Sequence, residues 1–181
     1  MRPYRFVFFG FVALWLAGCA TVDPGVCGRF DQARQSLRYD TVYRYSEVDT
    51  RRAVEHFKPR HAKAPATVRW YTLRANTPAI PPCEHLYLTK DLYLQRQAGD
   101  DLVIEETREF FTGNGRRVAT RKENLSRQLK NSGYYHAVVP LPIPETAPPG
   151  TYKVVSRLTM RKSGGKETVL ASASTEFRVV R

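Results

Sequence analysis

Acidic side chains are scarce in this chain of 181 residues: 17 Asp and Glu face 29 Lys and Arg, giving a formal charge of +12. Cysteine is scarcer still, with Cys19, Cys27 and Cys83 the whole supply. Cys83-Glu84-His85 places three possible metal ligands together, but no second compact cluster accompanies them. Neighbours in an extended segment also point to opposite faces, so no metal site is expected. The four histidines, His56, His61, His85 and His136, are scattered, and none belongs to a His-Glu-x-x-His motif. The chain has no Gly-x-Ser-x-Gly elbow, no Gly-x-x-x-x-Gly-Lys phosphate loop and no Gly-x-Gly-x-x-Gly fingerprint. Paired carboxylates occur at Asp100-Asp101 and Glu105-Glu106. A glycosidase needs two acids across one bond, whereas adjacent strand residues diverge, so both pairs are expected on a solvated rim. Neither catalytic residues nor a cofactor is expected.

Long apolar runs are also missing. The longest, Phe6 to Leu16, has 11 residues, too few to cross a bilayer as a helix. Arg2 and Arg5 precede it, and small residues follow at Ala17 and Gly18. A basic head, a short apolar centre and a small-residue cleavage point make up an export signal. Leu16-Ala17-Gly18-Cys19 resembles the lipobox of bacterial lipoproteins. The resemblance covers residues 1–19 and implies a signal peptide over 1–18, cleavage before Cys19 and lipidation of its thiol and new amine. Two or more acyl chains make membrane residence stable. Ala20 stands where that family's inner-membrane retention signal would carry Asp, which implies the periplasmic face of the outer membrane.

Removing the signal leaves 163 residues with 27 basic against 17 acidic, a formal charge of +10. That length suits one domain with a tether. A basic exported surface associates with anionic head groups, lipopolysaccharide, acidic glycan or an acidic protein, more weakly as salt rises. Export argues against nucleic acid as the partner. With Cys19 assigned to lipid, Cys27 and Cys83 remain in a compartment that permits disulfides, and two thiols allow one pairing. The bond would pin the N-terminal arm to the main domain.

Residues 19–29 carry Asp23-Pro24-Gly25 and are expected as a turn-prone, lipidated tether. Residues 30–66 form a basic arm and connector. Within it Arg34, Arg38, Arg44, Arg51 and Arg52 alternate with Tyr39, Tyr43 and Tyr45, and these arginines are the candidate anionic-surface contacts. Ser46-Glu47-Val48-Asp49 followed by Val54 and Phe57 predicts a short helix with an acidic first turn.

Residues 67–181 predict successive strands. Leu86, Leu88, Leu92 and Leu94 share one face at period two, with Tyr87, Thr89, Asp91 and Tyr93 opposite. Thr112-Gly113-Asn114-Gly115 predicts a tight hairpin, because Asn-Gly accepts positive backbone angles. Tyr135, Ala137, Val139 and Leu141 form another inner row, as do Tyr152, Val154, Ser156, Leu158 and Met160. The last row is Val169, Ala171, Ala173, Thr175, Phe177 and Val179. A final hairpin entered through Pro148-Pro149-Gly150-Thr151-Tyr152 resembles the end of immunoglobulin-like or fibronectin-like domains. In those domains a tyrosine braces the corner by bonding its hydroxyl to upstream backbone.

The expected fold is therefore mainly β, an antiparallel immunoglobulin-like sandwich behind a short, partly helical arm. The expected role is a membrane-anchored periplasmic module, without catalysis, that binds another envelope component. Two alternatives stand beside it: a binder of anionic glycan, peptidoglycan or lipopolysaccharide, and a wall-lytic hydrolase or an inhibitor of one.

Overall fold

The computed structural model describes residues 26–58, 64–97, 101–162 and 165–181. The signal peptide, Cys19, the tether up to residue 25, and Asp100 lie outside them. Among the described residues the chain forms helices α1 (Val26–Ser36) and α2 (Glu47–Phe57) and nine strands. These are β1 (Arg44–Ser46), β2 (Ala66–Ala75), β3 (Ala79–Ile80), β4 (Glu84–Arg96), β5 (Leu102–Thr112), β6 (Arg117–Asn124), β7 (Gly133–Ile143), β8 (Gly150–Lys162) and β9 (Thr168–Val179).

One sheet runs β1-β7-β4-β2 and the other β3-β9-β8-β5-β6, and every pairing is antiparallel except β3 with β9. Stripped of the short strands β1 and β3, the connectivity is that of an immunoglobulin-like sandwich. The first, second and fifth of the remaining strands form one sheet; the others form the second. The turn at Thr112–Arg116 closes through Gly115, whose N–H donates to the Thr112 carbonyl at 2.8 Å and whose φ is 81°. Only a residue tolerant of the left-handed region fits there. Tyr152, at the start of β8, donates its hydroxyl to the Pro148 carbonyl at 2.8 Å and stacks on Phe177. That is the corner brace the hairpin sequence anticipates.

The leucine row of β4 is fully buried, and so is Lys90, the residue inside that row. The interior is divided accordingly. One apolar cluster gathers around Leu92, Leu94, Ile104, Leu158 and Tyr135, a second around Leu86, Leu88, Val154 and Phe177. Lys90, Glu106 and Ser156 form a polar band between them, at inward positions where β4, β5 and β8 pass from one cluster to the other.

Two register shifts alter the predicted rows. In β9 the register shifts where Leu158 pairs with Ala171 but Thr159 with Val169. Leu170 thereby packs on the core and Val169 is 56 % exposed, which corrects its place in the inner row. In β2 the shift falls between Val68 and Trp70. Ala66 and Val68 face the interior before it, Tyr71 and Leu73 after it. A bulge reverses which parity points inward.

The last tether residues, from Val26, and the arm to Lys58 form helices or pack on the sandwich. α1 begins at Val26, is tied by the Cys27–Cys83 disulfide and buries Phe30 against the His85 ring. Eleven residues are marginal as an isolated helix, so these tertiary contacts hold it. α2 follows its predicted signal: the Ser46 hydroxyl accepts from the Asp49 N–H, and Glu47 and Asp49 occupy the first turn. Between the helices, Thr41 and Tyr43 are buried. Thr41 N–H donates to Glu123, Tyr43 N–H donates to Gln128, and the Gln128 amide donates back to the Thr41 carbonyl. Residues 30–58 thus pack on the sandwich.

Candidate functional site

Three places gather the chemistry of this molecule: a sealed polar band inside it, the outer face of the first sheet, and a groove beside β6.

The inner band is built on facing strands. Lys90 Nζ on β4 lies 2.5 Å from Glu106 Oε1 on β5 and 3.0 Å from the Thr41 hydroxyl. Tyr71 and Ser156 hydroxyls also donate to Glu106, and Tyr71 reaches Ser156 at 2.7 Å. Burial pushes the Lys90 ammonium down to about 8 against the pull of Glu106. Burial alone would raise the Glu106 carboxyl; Lys90 and Ser156 outweigh it and hold it below its ordinary value. Glu105 and Glu106 do point opposite ways, but only Glu105 reaches the surface, where it meets Lys122. The expected solvated rim is corrected at Glu106, because Lys90 from the other sheet supplies its counter-charge. Both charged groups are sealed from solvent, so this band orders the sandwich and offers nothing to a ligand.

A second ion pair closes the same side: Arg108 on β5 meets Glu123 on β6 and donates to the Tyr39 carbonyl at 3.2 Å. Burial would raise the Glu123 carboxyl, but Thr41, Arg108 and Arg121 bring it to about 2. In the unfolded chain it titrates near 4.5. Between these values the unfolded state binds more protons, so stability rises with pH there and is lost on acidification. Glu123→Gln is expected to remove part of the stability lost between about pH 4.5 and 2, seen as a shallower dependence in urea titrations at stepped pH. Wild-type and variant curves that stay parallel would contradict the assignment.

On the outer face of the first sheet Asp91 is the centre. Arg74 Nη2 lies 2.5 Å from its Oδ2, His136 Nδ1 lies 2.9 Å from its Oδ1, and the Thr72 hydroxyl donates at 3.3 Å. Burial would raise the Asp91 carboxyl, yet His136, Tyr134 and Arg74 hold it below its ordinary value. Burial, with Asp91 beside it, pushes the Tyr134 hydroxyl up to about 12. Asp91 thus orients His136, whose side chain is 44 % exposed. Arg44 is the cross-strand partner of His136. Beside this cluster, α2 and the sheet flank a shallow, open cleft of about 310 Å³ lined by Asp49, Arg52, His56, Phe57, Trp70 and Tyr134.

The third place lies where β6 begins and β7 ends. A cavity of about 460 Å³ opens there, lined by Phe110, Val118, Leu141, Ile143, Tyr152 and other mostly apolar residues. β6 is the last strand of its sheet, paired only with β5 among the described residues. Its Arg117 and Lys122 pair with Glu109 and Glu105 on β5.

The five arginines of the arm do not converge. Arg34 lies on α1 over the Phe30 ring and beside Asp31, and Arg38 is exposed beyond α1. Arg44 is on β1; Arg51 and Arg52 are on α2, paired with Glu47 and Asp49. Only Arg44 and Arg52 reach the outer-face sites. Cys27 and Cys83 are joined as expected. The Asp91–His136 pair escaped sequence reasoning, because its partners are 45 residues apart. The available signal was that Asp91 falls on the outward row of β4 and His136 on that of β7.

No family model matches the chain, and no curated protein resembles it closely enough to match. Several solved structures align with part of the chain. A CARDB domain from Pyrococcus furiosus, in complex with two metal ions, matches 64 % of this chain and 92 % of its own at 10 % identity, with a TM-score of 0.38. An immunoglobulin-like protein of Pseudomonas aeruginosa matches 66 % of this chain and 99 % of its own at 14 % identity, with a TM-score of 0.36. An alkylpurine DNA glycosylase of Pseudomonas fluorescens matches 65 % of this chain but 31 % of its own at 17 % identity, with a TM-score of 0.38. A Bacteroides uniformis β-glucuronidase matches 60 % of this chain and 12 % of its own at 21 % identity, with a TM-score of 0.35. At these values none of them carries a family or an activity to this chain. The strand order itself defines the class: an immunoglobulin-like β-sandwich.

Proposed function

We propose that this protein is a lipid-anchored module of the bacterial envelope, facing the periplasm, that binds another envelope protein without catalysing a reaction. The anchor rests on the lipobox-like Leu16-Ala17-Gly18-Cys19. The binding role rests on one observation above all: among the described residues no strand lies beyond the β6 edge, and an apolar groove adjoins it. An extended segment of a partner can add to such an edge through main-chain hydrogen bonds while its alternate side chains fill the groove. Arg117 and Lys122 guard the strand against indiscriminate pairing, as charged edge residues do.

A photo-crosslinking amino acid in place of Val118, which is 48 % exposed on β6, tests the reading in cells. One recurring envelope protein among the adducts is the expected result. Adducts of glycan or lipid alone, or none, would overturn it. The parallel check is metabolic labelling with a fatty acid, which is expected to mark the wild-type chain and not Cys19→Ser.

A further inference from the structure

We infer that the cleft between α2 and the outer face of the first sheet binds an acidic sugar, its ring stacked on the Trp70 indole and its anionic group held by Arg52. The site is separate from the β6 edge.

The β2 bulge is the first reason. Continued from Ala66 and Val68, the alternation would carry Trp70 into the core; the shift between Val68 and Trp70 turns it outward instead, where it is 47 % exposed. A large aromatic side chain left half exposed forgoes part of the stabilisation that its burial would give. Bulges recur beside functional sites because they re-aim a side chain in this way.

The second reason is that the wall around the indole is braced. Arg69, the extra residue, sits over the Phe57 ring at 5.8 Å and donates to the Phe57 carbonyl. Phe57 stacks on Tyr93 at 5.4 Å and stands 6.3 Å from Trp70. The end of α2 is therefore fixed against the sheet, and the cleft of about 310 Å³ is a shallow, open one, suited to a ring laid flat against the indole.

Polar groups of the right kind line it. The Arg52 side chain is 76 % exposed and touches Asp49 only at 3.5 Å through one nitrogen, leaving its fork open to a carboxylate or phosphate. Asp49 receives the Ser46 hydroxyl on Oδ2 at 2.6 Å and Arg52 on Oδ1 at 3.5 Å, and a carboxylate oxygen with one such long contact keeps a lone pair for a sugar hydroxyl. The adjoining face adds Arg74 and Arg44 beside an already paired Asp91, so the approach to the cleft favours an anion. One indole beside one carboxylate suits a single hydroxyl-rich ring. A nucleic-acid strand needs successive stacking platforms along a basic groove.

The test uses the full-length chain in detergent micelles with Trp15→Phe, which leaves Trp70 as the single indole. It is titrated with a disaccharide containing N-acetylmuramic acid, with glucosamine 1-phosphate, with neutral chitobiose and with a thymidine oligonucleotide. A saturating change in Trp70 emission is expected with at least one acidic sugar, and at least tenfold weaker binding of chitobiose. Arg52→Ala is expected to erase that tenfold preference while leaving chitobiose binding in place. By calorimetry, Trp70→Ala in the otherwise wild-type chain is expected to abolish sugar binding with the circular dichroism spectrum unchanged. Emission unmoved by both acidic sugars, equal affinity for acidic and neutral sugars, or a response confined to the oligonucleotide would overturn the inference. Because Val118 is remote from this cleft on the other sheet, its crosslinks in cells report on the β6 reading independently.

Discussion

Lys90→Met is expected to destabilise the chain by about 3–5 kcal/mol, the loss typical when one member of a buried ion pair is removed. The cause is the group left behind. Glu106 is 1 % exposed, and without the ammonium it must either stay charged in an apolar interior or take up a proton. Tyr71, Ser156 and Thr41 hydroxyls would still reach it, which limits the loss but does not neutralise the charge. In a domain of this size the change corresponds to a fall in melting temperature on the order of 10 °C. Glu106→Gln should cost a comparable amount, because it strands Lys90 instead. The double variant Lys90→Met with Glu106→Gln should lose clearly less than the two singles added, since neither charge then remains. Urea titration of the four proteins decides it: single variants losing less than about 1 kcal/mol, or strict additivity, would show that the pair does not hold the sheets together.

Cys83→Ser is expected to lower stability by about 4 kcal/mol in oxidising buffer, the chain-entropy figure for a closed loop whose ends are 56 residues apart. In reductant the wild type should melt where the variant does. The bond joins α1 to the turn before β4, and Cys83 N–H also donates to the Ile143 carbonyl, so the turn itself survives the substitution. What loosens is α1, which keeps Phe30 against the His85 ring, while the Tyr39 hydroxyl just beyond the helix meets the same ring. Calorimetry of both proteins in both redox states checks this, and equal melting of oxidised wild type and variant would contradict it.

Together the two substitutions probe different layers of the same architecture. The ion pair spans the two sheets from within, while the disulfide ties the chain's first helix to their end. Neither lies in the Trp70 cleft or the β6 groove, so a loss of binding in those variants would report unfolding and not a missing contact.

The strands were legible in the sequence wherever local rules act alone. The leucines of β4 and the inner row of β7 repeat at period two, and every one of them turns inward in the structure. Ser46 and the acids after it predict α2, because a cap is a contact between residues three apart. The Asn-Gly hairpin and the Tyr152 corner are equally local. Cys27 and Cys83 could be paired because the expected export and lipidation of Cys19 leave two thiols and one possible pairing.

What the sequence concealed depends on partners far along the chain. The alternation already places Lys90 in the inner row, but a lysine reads as solvated until Glu106 is seen across the interior. Val169 and Trp70 fall on faces that simple alternation denies them, since a bulge inserts one residue and reverses every later position in its strand. The arm illustrates the same limit. Its arginines suggested one basic surface, yet folding spreads them over two helices, a strand and the chain between, and sends only Arg44 and Arg52 toward a common face. Periodicity, caps, turns and cysteine count thus determined the class of fold and its staple, because each acts over a few residues or through simple exclusion. Which charges meet, which aromatic is exposed and where a partner can dock were decided by the packing of two sheets, because those contacts join residues that no local rule connects.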